Sequence, residues 1–292
     1  MESNIGFIGL GIMGKPMAVN LLKAGFHLCV FDINGNALNE LRNAGAQTMH
    51  SLKEIAEKCD TVISMLPDSP QVREVALGED GLIGGLSAGK LFIDMSTIDS
   101  AIEIEIHERL KLFGVDMLDA PVSGGETGAK SGSLSIMVGG KKQSFERALP
   151  VFRVLGKKIN HMGDIGAGQI TKSCSQIATA LATQGVIEAF ALAKKTGVDI
   201  AKVRDALLGG FAESRVLSVV GERIIQKNFI PGFKLNLYNK DLRIARQAAA
   251  ERSLLLAGTQ LMSEEMEMLL QQGKGELDFS ALIYILEKES NF

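Results

Sequence analysis

A buried-strand pattern from Asn4 to Gly9 runs directly into Gly9-Leu10-Gly11-Ile12-Met13-Gly14, and a helical pattern follows from Gly14 to Ala24. In a chain with 32 glycines a G-x-G-x-x-G string means little alone. Its place between a strand and a helix gives it force. Gly9 would form a tight turn, Gly11 would let the backbone approach a ligand, and Gly14 would let helix and strand pack closely. The free N–H groups opening the helix would then face an anion such as a pyrophosphate. Asp32 ends the second strand, where a carboxylate accepts hydrogen bonds from ribose hydroxyls and repels a 2′-phosphate. Ile33-Asn34-Gly35 supplies no arginine to reverse that preference. The stretch predicts NAD as cofactor, with NADP possible, bound by Gly9, Leu10, Gly11, Ile12, Met13, Gly14 and Asp32.

The pattern that starts here repeats. Apolar strands at 28–32, 61–66, 90–95, 115–119, 134–138 and 157–161 alternate with helical stretches at 35–43, 100–113 and 142–155. Ser51-Leu52-Lys53-Glu54 reads as a capping box. Alternation of this kind predicts an α/β Rossmann-type doubly wound parallel sheet. From Gly168 the strand signals stop, and helices are expected at 168–195, 200–208, 215–226, 238–251, 258–272 and 278–287. The expected division is a dinucleotide-binding domain over 1–165. An all-helical substrate and oligomerisation domain over 166–292 begins with a long interdomain helix.

Composition excludes several classes. Apolar residues make up 46% and charged residues 22%, the balance of a soluble globular protein. A net charge of −3 offers no basic field for nucleic acid or an anionic membrane, so neither is expected as a partner. No apolar run is expected to reach the length of a membrane span, and Met1-Glu2-Ser3-Asn4 lacks a basic leader. Cys29, Cys59 and Cys174 have no metal-ligand spacing, and their odd number argues against a disulfide framework. A reducing cytoplasm is the expected location.

One short segment stands out for chemistry. Gly166-Ala167-Gly168-Gln169-Ile170-Thr171-Lys172 opens the long helix, with Ser175 and Gln176 following Lys172 at i+3 and i+4 on one face. The positive end of the helix dipole disfavours a cation there, which would lower the lysine pKa toward the range of a proton-transfer group.

Several segments in one order resemble the β-hydroxyacid dehydrogenase family, which includes 3-hydroxyisobutyrate dehydrogenases and tartronate semialdehyde reductases. They are Phe7 to Met17, Asp119-Ala120-Pro121-Val122-Ser123-Gly124-Gly125, the segment around Lys172, and Lys240-Asp241-Leu242. Met65-Leu66-Pro67, Asp94-Met95-Ser96-Thr97 and Asp278 to Leu282 also match. Within the family the reductases look most similar, through Gly11 to Pro16 and Asn228 to Phe233. The resemblance implies hydride transfer between a nicotinamide and the carbinol carbon β to a carboxylate, on a short 3-hydroxy acid or its semialdehyde. It implies that Lys172 is the catalytic acid/base, and that Ser123, Gly124, Gly125 and Gln176 bind substrate. Leu66, Pro67, Thr97 and Lys240 would contact the cofactor, Lys240 from the second domain. A homo-oligomer, dimer or tetramer, is expected, with Ile177 to Ala193 as its candidate surface.

Two positions depart from the family pattern. Ser175 stands where asparagine is usual, and Glu213 where reductases tend to have glycine, which bears on substrate identity. Other readings are an imine reductase, whose members usually replace the lysine, and a non-catalytic dinucleotide-binding protein. No metal site is expected from His27, His50, His107 and His161. Cys174 is expected in the core, and Glu103, Glu105, Glu108 and Arg109 on the wet face of a helix.

Overall fold

The computed structural model describes residues 4–288; the reading of Met1-Glu2-Ser3 lies outside them. Two compact units divide the chain, Met1–Lys172 and Ser173–Phe292. The first contains β1 (Ile5–Ile8), α1 (Gly14–Lys23), β2 (Leu28–Phe31), α2 (Gly35–Asn43), β3 (Gln47–Thr48), α3 (Leu52–Lys58), β4 (Thr61–Ser64) and α4 (Ser69–Leu77). It continues through β5 (Leu91–Asp94), α5 (Ser100–Lys111), β6 (Asp116–Asp119), β7 (Val122–Ser123), α6 (Gly125–Ser131), β8 (Leu134–Gly140), α7 (Lys142–Leu155) and β9 (Gly156–Gly163).

The strands form one sheet in the order β3-β2-β1-β4-β5-β6-β8-β7, with β9 beside β8. From β3 to β6 the pairing is parallel. This is the doubly wound arrangement that the alternation implied, and helices cover both faces. Phe7 and Ile63 point into one core with Met17, Leu21 and Phe152. Ile8 and Val62 point into the other with Ile55, Phe92 and Ile106. Beyond β6 the sheet is mixed, because β8 runs antiparallel to β6 and β7. Four elements escaped the sequence reading, among them the two-residue strand β7. Pro67 stops the strand as expected, but the helix that follows was not foreseen: Asp68 caps α4 and Pro70 sits in its first turn, where a missing N–H costs nothing. α6 is too glycine-rich to show a helical pattern, and β3 is only two residues long. The box at Ser51 is present: its hydroxyl caps the Glu54 amide, and Glu54 reaches back to the His50 N–H.

α8 (Ala167–Lys195) carries the chain from the first unit into the second. The expected boundary at 165/166 precedes it, and the compact units divide within it, after Lys172. Against expectation, α8 is long and apolar enough to cross a membrane by length and composition. Its Ala180, Ile187 and Phe190 nevertheless fill the core of the second unit, so it is a core helix. That unit adds α9 (Ile200–Leu208), α10 (Arg215–Ile225), α11 (Leu235–Ala250), α12 (Ala257–Gln271) and α13 (Ile283–Lys288). Leu217, Tyr238, Leu242, Met262 and Met266 pack around the buried face of α8. Cys174 is exposed, not in the core, since the buried stripe of α8 passes through Lys172, Gln176, Ala180 and Ile187 on the other side.

Candidate active site

The sheet order reverses between β1 and β4, and in open α/β sheets ligands bind outside the strand ends at such a point. The chain is shaped for that here. Gly9 has φ of 90°, and a Cβ on it would strike the Met65 carbonyl oxygen beyond β4. A Cβ on Gly14 would meet the carbonyl oxygen of Gly9, so both positions need glycine for space. Gly11 differs, because nothing lies within 4 Å of where its Cβ would be. Its bare backbone borders a cleft of ≈ 620 Å³ lined by Leu10, Ile12, Lys15, Asn34 and Lys130 among others. The α1 N-terminus has no side-chain cap at Met13. Asp32 accepts from the Leu10 amide at 2.5 Å and the Asn34 amide at 2.7 Å, fixing the turn to the end of β2. An open glycine backbone, an uncapped helix start and a strand-end carboxylate fit a dinucleotide's pyrophosphate and ribose.

Further along the same sheet edge, half-buried Leu66 and exposed Pro67 follow β4, and half-buried Thr97 follows β5. The Leu66 amide donates to Ser96 Oγ at 2.9 Å, tying these two strand ends together. Buried Asp94 accepts from the hydroxyls of Ser64 at 2.5 Å and Ser96 at 2.6 Å. Asp119, at the end of β6, accepts from the amides of Gly166 at 2.7 Å and Gln169 at 2.9 Å, so it caps the start of α8. Gly139 and Gly168 leave the room it occupies, since a Cβ on either would run into its carboxylate. Burial pushes the Asp119 carboxyl up to about 6, against the pull of its two amide donors.

Lys172 therefore sits in the second turn of a helix whose first turn is bonded to the strand ends. The residue is only 7% exposed, unlike an ordinary surface lysine. Gln169 makes the tie tighter. Its carboxamide donates to the Ser96 carbonyl at 2.9 Å and to Glu103 at 2.7 Å, and accepts from the Ile98 amide at 3.2 Å. Glu103 is thus not on a wet face: it is fully buried with Ser100, Ile106 and Leu110 along α5. Residues 103 and 105 lie about 200° apart around a helix, so they cannot share a face. Gln169, Glu103, Asp94 and Asp119 went unnoticed as site-supporting residues in the sequence, although two of them end strands.

The loop Ser123-Gly124-Gly125 joins β7 to α6. Ser123 pairs with Ser135 in β8 and is half-buried. Gly124 and Gly125 have φ of 139° and 59°, a backbone that side-chain-bearing residues rarely adopt.

In the second unit, Gln176 and Lys240 meet at a common partner. Gln176 donates to one oxygen of Asp241 at 2.5 Å, and Lys240 pairs with the other at 2.9 Å. Tyr238 donates its hydroxyl to the Gln176 carbonyl at 3.1 Å, and burial pushes its pKa up. Ser175 is half-buried, and Glu213 is exposed in the turn after α9. Among the described residues no group of three or more His, Cys, Asp or Glu side chains could hold a metal ion.

The family model for the NAD binding domain of 6-phosphogluconate dehydrogenase matches residues 4–163. The model for the NAD-binding segment of NADP-dependent 3-hydroxyisobutyrate dehydrogenase matches residues 166–286. The chain is 45% identical to 2-hydroxy-3-oxopropionate reductase of Escherichia coli (strain K12), over 98% of each chain. It is 38% identical to NAD-dependent L-serine dehydrogenase of Pseudomonas aeruginosa, over 95% of this chain and 96% of that one. The solved structure of Mycobacterium tuberculosis 3-hydroxyisobutyrate dehydrogenase with L-serine superposes with a TM-score of 0.91 at 33% identity, covering 98% of this chain and 99% of that one. The chain therefore belongs to the 3-hydroxyisobutyrate dehydrogenase-like family and is an NAD(P)-dependent hydroxyacid dehydrogenase.

Proposed function

We propose that this dehydrogenase reduces tartronate semialdehyde to glycerate with NADH, and that Lys172 is its general acid. The observation that carries the reading is Lys172 itself. It is a buried lysine, one turn past a glutamine bonded to the cofactor-facing strand ends. The 45% identity to the Escherichia coli reductase over nearly the whole of both chains supports the substrate. A nicotinamide supplies the hydride when bound. The chain's part is to hold the aldehyde and deliver a proton to its oxygen as negative charge develops there, which Lys172 Nζ does.

The remaining roles follow from the chemistry of each group. Ser123 with the amides of Gly124 and Gly125 binds the carboxylate, since two positive-φ glycines can turn N–H groups toward an anion. Gln176, one turn beyond Lys172 on α8, offers a carboxamide to the substrate hydroxyl. Gly9 to Gly14 hold the pyrophosphate, Asp32 holds the adenosine ribose and selects NADH, and Leu66, Pro67 and Thr97 line the nicotinamide side. Lys240 contacts the cofactor, kept in place by Asp241. Ser175 and Glu213 tune which semialdehyde is accepted. The chain works as a cytoplasmic homo-oligomer that covers exposed Leu181 and Leu192 of α8, a state that light scattering would measure.

The decisive test is NADH oxidation with tartronate, succinate and methylmalonate semialdehydes, alongside L-serine oxidation and an NADPH control. Fast turnover on the first compound with NADH is the expected result; turnover confined to another would sink the substrate assignment. Lys172→Ala should lose at least about a thousandfold in kcat while still binding NADH. A variant that kept wild-type turnover would remove the lysine from the mechanism.

A further inference from the structure

We propose that Glu103 and Asp94 share a single proton. Acting through Gln169, this carboxyl pair is a positioning device that fixes the first turns of α8 against the strand ends. The proposal extends the reading of Lys172 as the proton donor, because Lys172 is the residue so positioned.

The hydrogen-bond inventory leads to it. Oε1 of Glu103 takes the Gln169 carboxamide at 2.7 Å. Oδ1 of Asp94 takes Ser64 Oγ, Ser96 Oγ and, at 3.3 Å, the Ser96 amide. The second oxygen of each carboxyl, Oε2 and Oδ2, is buried with no other donor in reach. Both groups meet at one junction, since Asp94 holds Ser96 Oγ and Glu103 holds the carboxamide of Gln169 that also bonds the Ser96 carbonyl, and the charge of Asp94 acts on Glu103. Two carboxylates at one junction repel, whereas one proton between them satisfies both oxygens at once. Three donors favour charge on Asp94, so the proton resides on Glu103.

The surroundings agree. Burial, together with the charges of Asp94 on β5 and Asp119 on β6, holds the Glu103 carboxyl well above the usual carboxylate range. Its hydrogen-bond donor Gln169 is neutral. A neutral Glu103 lets Gln169 bond simultaneously to Ser96, Ile98 and Glu103, from three directions. Lys172 follows Gln169 at i+3 on the same side of α8. Ionisation of Glu103 would set three carboxylates together in a dry site and push α5 away from α8.

Two variants separate the claim from simple core disruption. Glu103→Gln supplies a carboxamide that donates to Asp94 and accepts from Gln169, so kcat should stay within about threefold of wild type. Glu103→Leu removes the acceptor for Gln169, and kcat should fall about 10- to 100-fold, as for a displacement near 1 Å, with KM for NADH unchanged. Full activity in Glu103→Leu, or equal damage in both variants, would overturn the positioning role. A second readout is independent of turnover. The wild-type fold holds a proton that the unfolded chain releases above about pH 4.3, so this group's contribution to stability declines as pH rises from there. In Glu103→Gln that decline should be absent, and so should the infrared band of a buried protonated carboxyl. Identical pH–stability curves and spectra for the two proteins would refute the shared proton. An active Lys172→Ala enzyme would instead refute the lysine's role and leave this readout standing.

Discussion

Two buried carboxylate sites, one in each unit, solve the same electrostatic problem by different means. In the second unit, Asp241 is 3% exposed and is compensated by a cation, Lys240, with Gln176 on its other oxygen. In the first, Asp94, Glu103 and Asp119 crowd together with serine hydroxyls, a carboxamide and backbone amides as partners. An ion pair keeps its charge over a wide pH range and is costly to break from one side. A cluster without a cation depends on protons, so its stability depends on pH. Each arrangement suits its place. Lys240 is proposed above to contact the cofactor, a role that a charge-keeping ion pair suits, whereas a cation beside Asp119 would compete with Gly166 and Gln169 for the carboxylate that starts α8.

The contrast can be broken most severely at Asp241. Asp241→Ala removes the buried carboxylate that Lys240 and Gln176 share, and should cost about 3–5 kcal/mol in denaturant unfolding. A loss below about 1 kcal/mol would mean that Lys240 reaches water instead. Next comes the pH dependence of the first unit. With its pKa raised to about 6, Asp119 keeps a proton that the unfolded chain has released above about pH 4. Stability should therefore fall between about pH 4 and 6 by on the order of 2–3 kcal/mol from this group, then level off. A flat curve over that window would contradict the assignment. Glu103→Leu should cost about 1–3 kcal/mol at pH 7, because it leaves Asp94 short of one donor. That is less than Asp241→Ala, since no ion pair is broken. Ser51→Ala removes a helix cap distant from both sites, and should cost about 1 kcal/mol with no change in either pH profile.

Much of this was legible in the sequence, and the failures share a cause. The strands at the sheet centre are buried on both faces and read as unbroken apolar runs, so β1, β2, β4, β5 and β6 were plain. Gly9 and Gly14 were interpretable because a steric role attaches to each, and Gly11 because its open backbone borders the cleft. Lys172 stood out by its place in a helix. What stayed hidden were polar residues whose burial depends on partners far along the chain. Glu103 looks like its neighbours Glu105 and Glu108, and only Gln169 and Asp94, 66 and 9 positions away, make it different. Cys174 was correctly turned away from Lys172 but wrongly assigned to the interior, because one helix's periodicity identifies two faces without saying which is wet.

The double bond of Asp32 to the backbone has a practical consequence for anyone who would redesign this enzyme. The carboxylate proposed above to discriminate against a 2′-phosphate also staples the glycine turn to the end of β2 through Leu10 and Asn34. Exchanging it for a small neutral residue would lift the discrimination and unfasten the turn in the same stroke. Selectivity and scaffold are thus one trait at this position, and a conversion to NADPH must bring a replacement acceptor for the Leu10 amide along with a base for the phosphate.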